Sequence, residues 1–585
     1  MNEKSNINDI IDFKLPKSWY FNNPFVKRLI TKIFRRILYL ETINNFLSSH
    51  SHLDERQFVH EIFDYLNFSF TISDRDSHKI PSEGRVICVS NHPIGSLDSL
   101  SVMKAFLDVR RDVKIVANDF LYSIKNLRPL FIPFKLDTSF SQKTSILEIQ
   151  KALEDDKAVI FFPAASVSRL KGIKIVDAPW HKGAVHFARK THSPILPIFI
   201  NGKNSFLFYA VSIISKKFST YLLAHELFNK KNKSIEIKVG DIIPSKVFTQ
   251  ATIEENYQTK LLRKHSYLIG KNKKGIFITE KNVIRPSDRR LLRAELNKAE
   301  LLGNTKEGMK IFLTTKRQSP EILNEIARLR EITFRKVGEG TGKKFDLDKY
   351  DEYYKHLIVW DDNELEIVGA YRIGIGIELL QKFGEPGFYT SSLFKFSHKF
   401  VNEYLHQSIE LGRSFVQKKY WNTNALNYLW QGIGTFLYHN PSVKYMFGGV
   451  SISNNYSNSA QECIIYYFKK WYPSIQNLAE SKRKFIVSEK SKSELEMIFK
   501  GKSAKEDYKI LKKLLIPLGC TVPILYKHYS ELSDSGGVKF LDFGVDPEFE
   551  NCTDGLILVT INLISDEKRQ KFMSSSFNAD YKATA

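Results

Sequence analysis

Cysteine, long apolar runs and acidic side chains are all scarce in this chain, and each scarcity excludes something. The four cysteines, Cys88, Cys463, Cys520 and Cys552, are too few and too scattered for a disulfide framework, and no Cys-x-x-Cys pair occurs. No group of histidines and cysteines has metal-ligand spacing, so no metal centre is expected. The longest apolar run, Phe206 to Ile214, falls far short of the roughly 20 residues that span a bilayer. The opening stretch MNEKSNINDIIDFKLPK has no basic start, apolar core or small-residue cleavage site, so no secretory signal is expected either. A cytoplasmic protein fits all four absences. The acidic deficit is 64 Asp and Glu against 87 Lys and Arg, a formal charge of +23. Such an excess suits polyanionic partners: nucleic acid, anionic lipid or an acidic carrier protein. No nucleic-acid-binding motif accompanies it.

With 585 residues the chain exceeds what one hydrophobic core organises, and two domains are expected. The segment Pro24 to Leu40, PFVKRLITKIFRRILYL, places Val26, Leu29, Ile30, Ile33, Phe34, Ile37 and Leu38 on one helical face. Lys27, Arg28, Lys32, Arg35 and Arg36 occupy the other, a pattern suited to the headgroup layer of an anionic membrane or to packing on its own domain. Ser205 to Leu223 is a second apolar stretch with a Lys pair, readable as core helix or as a wedge into lipid. From Arg85 to Ile243, β-rich runs such as RVICVSN, AVIFFPA and PILPIFIN alternate with helical segments, the rhythm of an α/β sheet. A second α/β domain begins near residue 308, with strands HLIVWD, EIVGAYRIG and YMFGGVSIS and helices over Glu321 to Val337 and Asn424 to Tyr438. The reading is a basic helical region over 1–80, an α/β domain over 81–250, a helical connector over 251–307 capped at Ser287, a second α/β domain over 308–570 and a tail over 571–585.

SNHPIGSLDSL, residues 90–100, follows the strand RVICV directly. A histidine at a strand end with a carboxylate six residues on suits a base and its orienting partner. Asp98 would fix the tautomer of His92, leaving the other ring nitrogen to take a proton from a hydroxyl that attacks a thioester. Downstream come LRPLFIPFK, FFPAASVSR and PILPIFINGKNS. In this order the four blocks resemble the glycerolipid acyltransferase family, with its N-H-x4-D, middle Arg loop, F-P-E-G-T-R and late V-P motifs. The resemblance implies His92 as base, Asp98 as its partner, and Asn91, Pro163, Ser168 and Arg169 around the acceptor, the last two holding its anionic group. Two departures stand out: the His–Asp spacing is one residue longer, and Ala164, Ala165 and Ser166 replace the Glu-Gly region. They imply an acceptor other than glycerol 3-phosphate.

EIARLREITFRKVGEGTGKKFDLDKYDEYYKHLIVWD, EIVGAYRIG, SIELGRSFV and YMFGGVSIS look like the GNAT-like fold of amide-forming acyltransferases that include acyl-homoserine lactone synthases. The shared polar residues come in order: Arg330 with Phe334, Asp348 with Asp351, Arg372, then Glu410 with Arg413. The resemblance implies a substrate site built from these residues, with Glu410 accepting the amine proton directly or through water. Backbone N–H groups where the strands splay would polarise the thioester, with no side-chain nucleophile. VQKKYWNTNALNYLWQGIG lacks the Q/R-x-x-G-x-G/A loop that cradles a pyrophosphate, which favours acyl carrier protein over acyl-CoA as donor, with Lys418 and Lys419 facing the carrier. GEGTGKK, residues 338–344, matches no phosphate loop and reads as a mobile loop over the acyl site. The two domains in this order resemble the bifunctional synthases of ornithine lipids and related aminolipids. That implies N-acylation of an amino acid with a 3-hydroxyacyl chain, then O-acylation of the lyso-lipid, by a protein peripheral to the inner face of the cytoplasmic membrane.

Overall fold

The computed structural model describes residues 24–117, 124–134, 139–250, 252–474, 476–533 and 536–573, and the chain divides into an N-terminal unit, Met1–Asn282, and a C-terminal unit, Val283–Ala585. Each carries its own sheet, as the α/β reading requires.

In the N-terminal unit the strands are β1 (Ser69–Thr71), β2 (Val86–Ser90), β3 (Val113–Ala117), β4 (Phe131–Pro133), β5 (Ala158–Phe161), β6 (Arg169–Lys171), β7 (Lys174–Val176), β8 (Ile195–Asn201) and β9 (Ser234–Val239). Seven of them form one sheet in the order β1-β9-β8-β2-β5-β3-β4, while β6 and β7 make a separate hairpin. Strand β2 is buried at every position because it is central and covered on both faces, which is why VICVS is apolar without alternation. β8, β2 and β5 are adjacent and parallel, so their carboxyl ends fall on one edge. Loops leaving that edge are where open α/β sheets bind ligands, and three of the four sequence blocks meet there.

The basic amphipathic helix runs over Pro24–Ile37 and leaves Phe25, Leu29, Ile33 and Ile37 exposed. The second apolar stretch is two helices, Phe206–Ile214 and Lys216–Tyr221, broken at the extended backbone of Ser215. Residues 251–307 do not form a separate connector. Helix Glu255–Gly270 packs on β8 within the first unit, whereas Glu300–Asn304 is the first strand of the second. The helix that follows residue 288 is capped by the Asp288 carboxylate, which accepts from the N–H groups of Arg290 and Leu291. Ser287 instead turns its hydroxyl to Glu321.

The C-terminal unit contains β10 (Glu300–Asn304), β11 (Lys310–Thr315), β12 (Lys355–Asp361), β13 (Glu366–Ile375), β14 (Phe394–Phe396), β15 (Ser408–Val416), β16 (Tyr445–Ile452), β17 (Ala479–Ser481), β18 (Val538–Asp546) and β19 (Cys552–Thr560). Eight of these form a sheet in the order β10-β11-β12-β13-β15-β16-β19-β18. Alternate residues of β12 feed its two faces. Leu357 and Val359 pack with Leu429, Ile433 and Phe436 of helix Ala425–His439, while Ile358 and Trp360 pack with Ile322, Leu323 and Ile326 of helix Pro320–Val337. β15 and β16 are the one parallel pair of this sheet, and they register only from Ser408 with Tyr445 to Glu410 with Phe447. Beyond that point β15 stays with β13 and β16 with β19, so the two strands part. Gly448 is required at the parting, because a Cβ there would lie 2.0 Å from the Leu411 carbonyl oxygen.

Candidate functional sites

At the end of β2 the His92 Nδ1 lies 3.1 Å from Asp98 Oδ2, and the Asp98 side chain is wholly buried while the imidazole stays 16% exposed. Oδ2 also accepts the N–H groups of Ile94 and Gly95, at 2.8 and 2.9 Å. The extra residue between His92 and Asp98 is absorbed by Gly95, whose φ of +105° turns the chain into helix Ser96–Leu107. Burial pushes the Asp98 carboxyl up, against the opposing pull of His92 and the two amides. Nδ1 thus faces the carboxylate, which leaves Nε2 for a substrate hydroxyl. His92 and Asp98 are brought together as the spacing requires.

The other expected residues of this site have different duties. Asn91 Nδ2 donates to the Ile200 carbonyl (2.9 Å) and its Oδ1 accepts the Ile200 N–H (2.7 Å), so its amide ties β2 to β8. Pro163 offers its carbonyl to the His181 N–H. Ser168 donates its hydroxyl to Asp177 Oδ1 at 2.5 Å, which spends the proton an anionic ligand would need. Its N–H donates to the His92 carbonyl at 2.7 Å, so the third block supports the catalytic loop. Arg169 bonds Ser219 and lies over the Phe208 ring, tied to the two-helix stretch after β8. Asp177 went unnoticed in the sequence, yet it accepts the His92 N–H, the Ser168 hydroxyl and the Trp180 indole N–H. Ala165 holds φ +51°, the left-handed conformation that the family's glycine would supply at this turn.

In the C-terminal unit, three arginines and three aspartates close an alternating ring. Arg330 pairs with Asp351 (2.9 Å), Asp351 with Arg372 (3.2 Å), Arg372 with Asp348 (2.7 Å), Asp348 with Arg413 (3.6 Å), Arg413 with Asp346 (3.6 Å) and Asp346 with Arg330 (3.2 Å). Removing any one member would leave a buried charge unmatched. Arg330 grips Asp351 with both terminal nitrogens and also donates to the Asp346 carbonyl, so it anchors the ring. The two guanidinium groups Arg330 and Arg372 hold the Asp351 carboxyl well below the usual range, overcoming burial. Phe334 is core, packed edge-on against Phe549 at 5.0 Å. Arg413 has φ +49° at the irregularity where β15 slips against β13, and this bulge turns its guanidinium onto the Tyr389 and Phe549 rings. Asp346 was missed, although its place two residues before Asp348 in FDLDKYD was the available signal.

Glu410 sits where β15 and β16 part and is buried. Its Oε2 accepts from the Tyr354 hydroxyl and the Tyr389 N–H (3.0 Å), and its Oε1 from the Thr390 N–H (2.7 Å) and hydroxyl. Burial pushes its carboxyl up and these four donors pull it back. The carboxylate therefore fixes the Tyr389–Thr390 segment over the strand gap. The 338–344 loop is pinned as well: buried Glu331 accepts from the N–H groups of Thr341 (3.1 Å) and Gly342 (2.9 Å) and from the Thr341 hydroxyl. Lys418 and Lys419 are both exposed, and Lys419 is paired with Glu364 and Glu366. Among the described residues no group of three His, Cys, Asp or Glu could hold a metal ion.

Residues 23–275 match the family model described as Acyltransferase, and residues 329–431 match the Acetyltransferase (GNAT) domain. A glycine N(alpha)-acyltransferase of Bacteroides thetaiotaomicron is 37% identical over 299 residues, 49% of this chain and 88% of its own length. A lyso-glycine lipid O-acyltransferase of Phocaeicola vulgatus is 26% identical over 231 residues, 38% of this chain and 82% of its own. An L-ornithine N(alpha)-acyltransferase of Agrobacterium fabrum is 31% identical over 109 residues, 18% of this chain and 36% of its own. With an imidazole–carboxylate pair in an acyltransferase domain and an arginine–aspartate ring beside parting strands in a GNAT domain, the chain belongs to the bifunctional aminolipid acyltransferases.

Proposed function

We propose that the C-terminal unit joins a 3-hydroxyacyl chain to the α-amine of an amino acid, and that the N-terminal unit then esterifies the 3-hydroxyl of that lyso-lipid. In the first step the amine nitrogen attacks the thioester carbonyl carbon, the C–S bond breaks and an amide forms. N–H groups freed where β15 and β16 part are suited to stabilise the oxyanion. In the second step His92 Nε2 takes the proton of the 3-hydroxyl, the oxygen attacks a second thioester, and the imidazolium returns the proton to the departing thiolate. Asp98 stabilises the imidazolium. The observation that carries this reading is the His92–Asp98 pair: it is built for deprotonating a hydroxyl and stands in a different unit from the amide-forming residues.

The donor in this reading is an acyl carrier protein thioester, supported by the missing pyrophosphate loop and by exposed Lys418, with acyl-CoA as the competing donor. The membrane contact is assigned to the N-terminal unit. Phe206, Leu207, Ile213 and Ile214 are exposed on the two-helix stretch, and Leu170 and Ile173 on the β6–β7 hairpin that touches it. Lys171, Lys174 and Lys216 lie beside them in sequence, and the Pro24–Ile37 helix adds a further apolar face with Arg28, Lys32 and Arg36 exposed. Such a surface suits the inner face of an anionic cytoplasmic membrane, each nearby cation contributing about 1 kcal/mol. The test is expression in a bacterium without aminolipids, with mass spectrometry of the lipid extract. A new lipid holding one amide and one ester is expected. An extract with no amide-linked lipid refutes the proposal, and a monoacyl product alone refutes its second step.

A further inference from the structure

Outside the ring, Glu339 and Asp554 both feel the charge of Arg413, and Asp546 lies close to Asp554. Glu339 follows the left-handed Gly338 cap of helix Pro320–Val337 and meets the Ser451 hydroxyl. Asp546 accepts the Tyr389 hydroxyl at 2.8 Å. Asp554, opposite Ser451 on β19, is buried, and among the described residues no donor bonds to its carboxylate. The space before it is kept open by Gly449, whose missing Cβ would stand 3.8 Å from Asp554 Oδ2 and 3.9 Å from the Thr390 methyl. Burial together with Asp546 and Glu339 pushes the Asp554 carboxyl well above its ordinary range, and burial raises Glu339 to about 7.

A ring member with unused N–H groups, Arg372, borders the same Tyr389–Thr390 segment. The Arg372 side chain is 1% exposed and stacks among the Tyr350, Tyr354 and Tyr389 rings, yet its Nε and Nη2 make no hydrogen bond. A buried guanidinium with unbonded N–H groups calls for an anion, and a buried carboxylate without donors calls for a cation. One zwitterion supplies both.

We propose that Asp554 and Glu339 form the ammonium pocket of the C-terminal unit, receiving the α-amine of the acceptor while Arg372 takes its α-carboxylate, and that they, not Glu410, accept the proton the amine sheds. The inference rests on the N-acylation reading. The ammonium passes one proton to the carboxylate pair, and the freed lone pair attacks the thioester carbon. The C–S bond breaks, the second amine proton goes to the thiolate, and the proton on the carboxylates leaves to solvent. Glu410 has all four of its acceptor positions filled and cannot take that proton without releasing the segment it holds.

The test uses the full chain with 3-hydroxypalmitoyl thioesters of acyl carrier protein and of CoA, and glycine and ornithine as acceptors. If the wild-type protein acylates neither amine, the N-acylation reading falls and this inference with it. Given wild-type activity, Asp554→Asn is expected to raise the acceptor KM at least tenfold while the donor KM stays within twofold. Glu339→Gln is expected to flatten the acid limb of kcat/KM near pH 7. Unchanged acceptor KM and acid limb in both variants would overturn the pocket, as would parallel rises in donor and acceptor KM.

Discussion

Replacing Glu410 by glutamine separates an anchor from a base. The carboxylate receives two backbone N–H groups and two hydroxyls, and an amide keeps only one accepting end. Whichever way the amide turns, its NH2 group faces either the Tyr389 or the Thr390 N–H, and a buried donor goes unmade. Each such loss costs about 1–3 kcal/mol, and 2 kcal/mol corresponds to roughly a thirtyfold rise in local opening. Hydrogen exchange in the full chain, read on the amides of Tyr389 and Thr390, should therefore accelerate about thirtyfold, while exchange in helix Ala425–His439 holds. N-acylation should fall and O-acylation persist. If exchange at the two amides is unchanged while N-acylation is lost, Glu410 acts on the substrate proton itself and the anchoring argument is refuted.

His92→Ala should lower O-acylation by about 10²–10⁴ and leave N-acylation intact, so that the monoacyl lipid accumulates in extracts; equal loss of both activities would contradict separate sites. Asp98→Asn keeps an acceptor for the Ile94 and Gly95 amides but misorients the imidazole, and should reproduce most of that loss with no change in thermal unfolding. Glu331→Ala removes the acceptor of three donors in the 338–344 loop, so trypsin should cut after Lys343 or Lys344 within minutes, while the wild-type protein should resist that cleavage. Ala165 holds a left-handed backbone that costs about 1–2 kcal/mol, part of which glycine recovers against its greater unfolded entropy. Ala165→Gly should stabilise the N-terminal unit by about 0.5 kcal/mol in urea unfolding, and a lower midpoint would contradict the turn assignment.

What could be read from the sequence was what lies close together along it. VICVS and PILPIFIN announced buried parallel strands because strands covered on both faces need no polar alternation. His92 and Asp98 share a loop and a helix turn, so their pairing followed from spacing alone. The polar set Arg330, Asp348, Asp351, Arg372, Glu410 and Arg413 was identified as a group. Its members' roles were not, because a charge's role depends on how many partners reach it, and those partners arrive from other strands. The place of Glu410 on its strand suits a base, and nothing local shows that the Tyr354 hydroxyl and the 389–390 amides meet its carboxylate. Ser287 looked like a cap, although its neighbour Asp288 offers the stronger acceptor to the helix N–H groups.

Distance along the chain explains the remaining omissions. Asp177 reaches His92 because β5 lies beside β2, and Asp554 comes up to Gly449 because β19 pairs with β16 at the far end of the chain. Neither adjacency leaves a trace in local pattern. The same topology suggests why the amide-forming site mixes three segments. Parallel β15 and β16 can part only if β16 finds another partner, and β19 supplies it. The strand that makes the gap possible is therefore also the one that brings Asp554 to its edge. Opening the sheet for a thioester and supplying a carboxylate for an amine are then consequences of a single pairing, which is why a site of this kind needs the C-terminal hairpin as much as the motif residues before it.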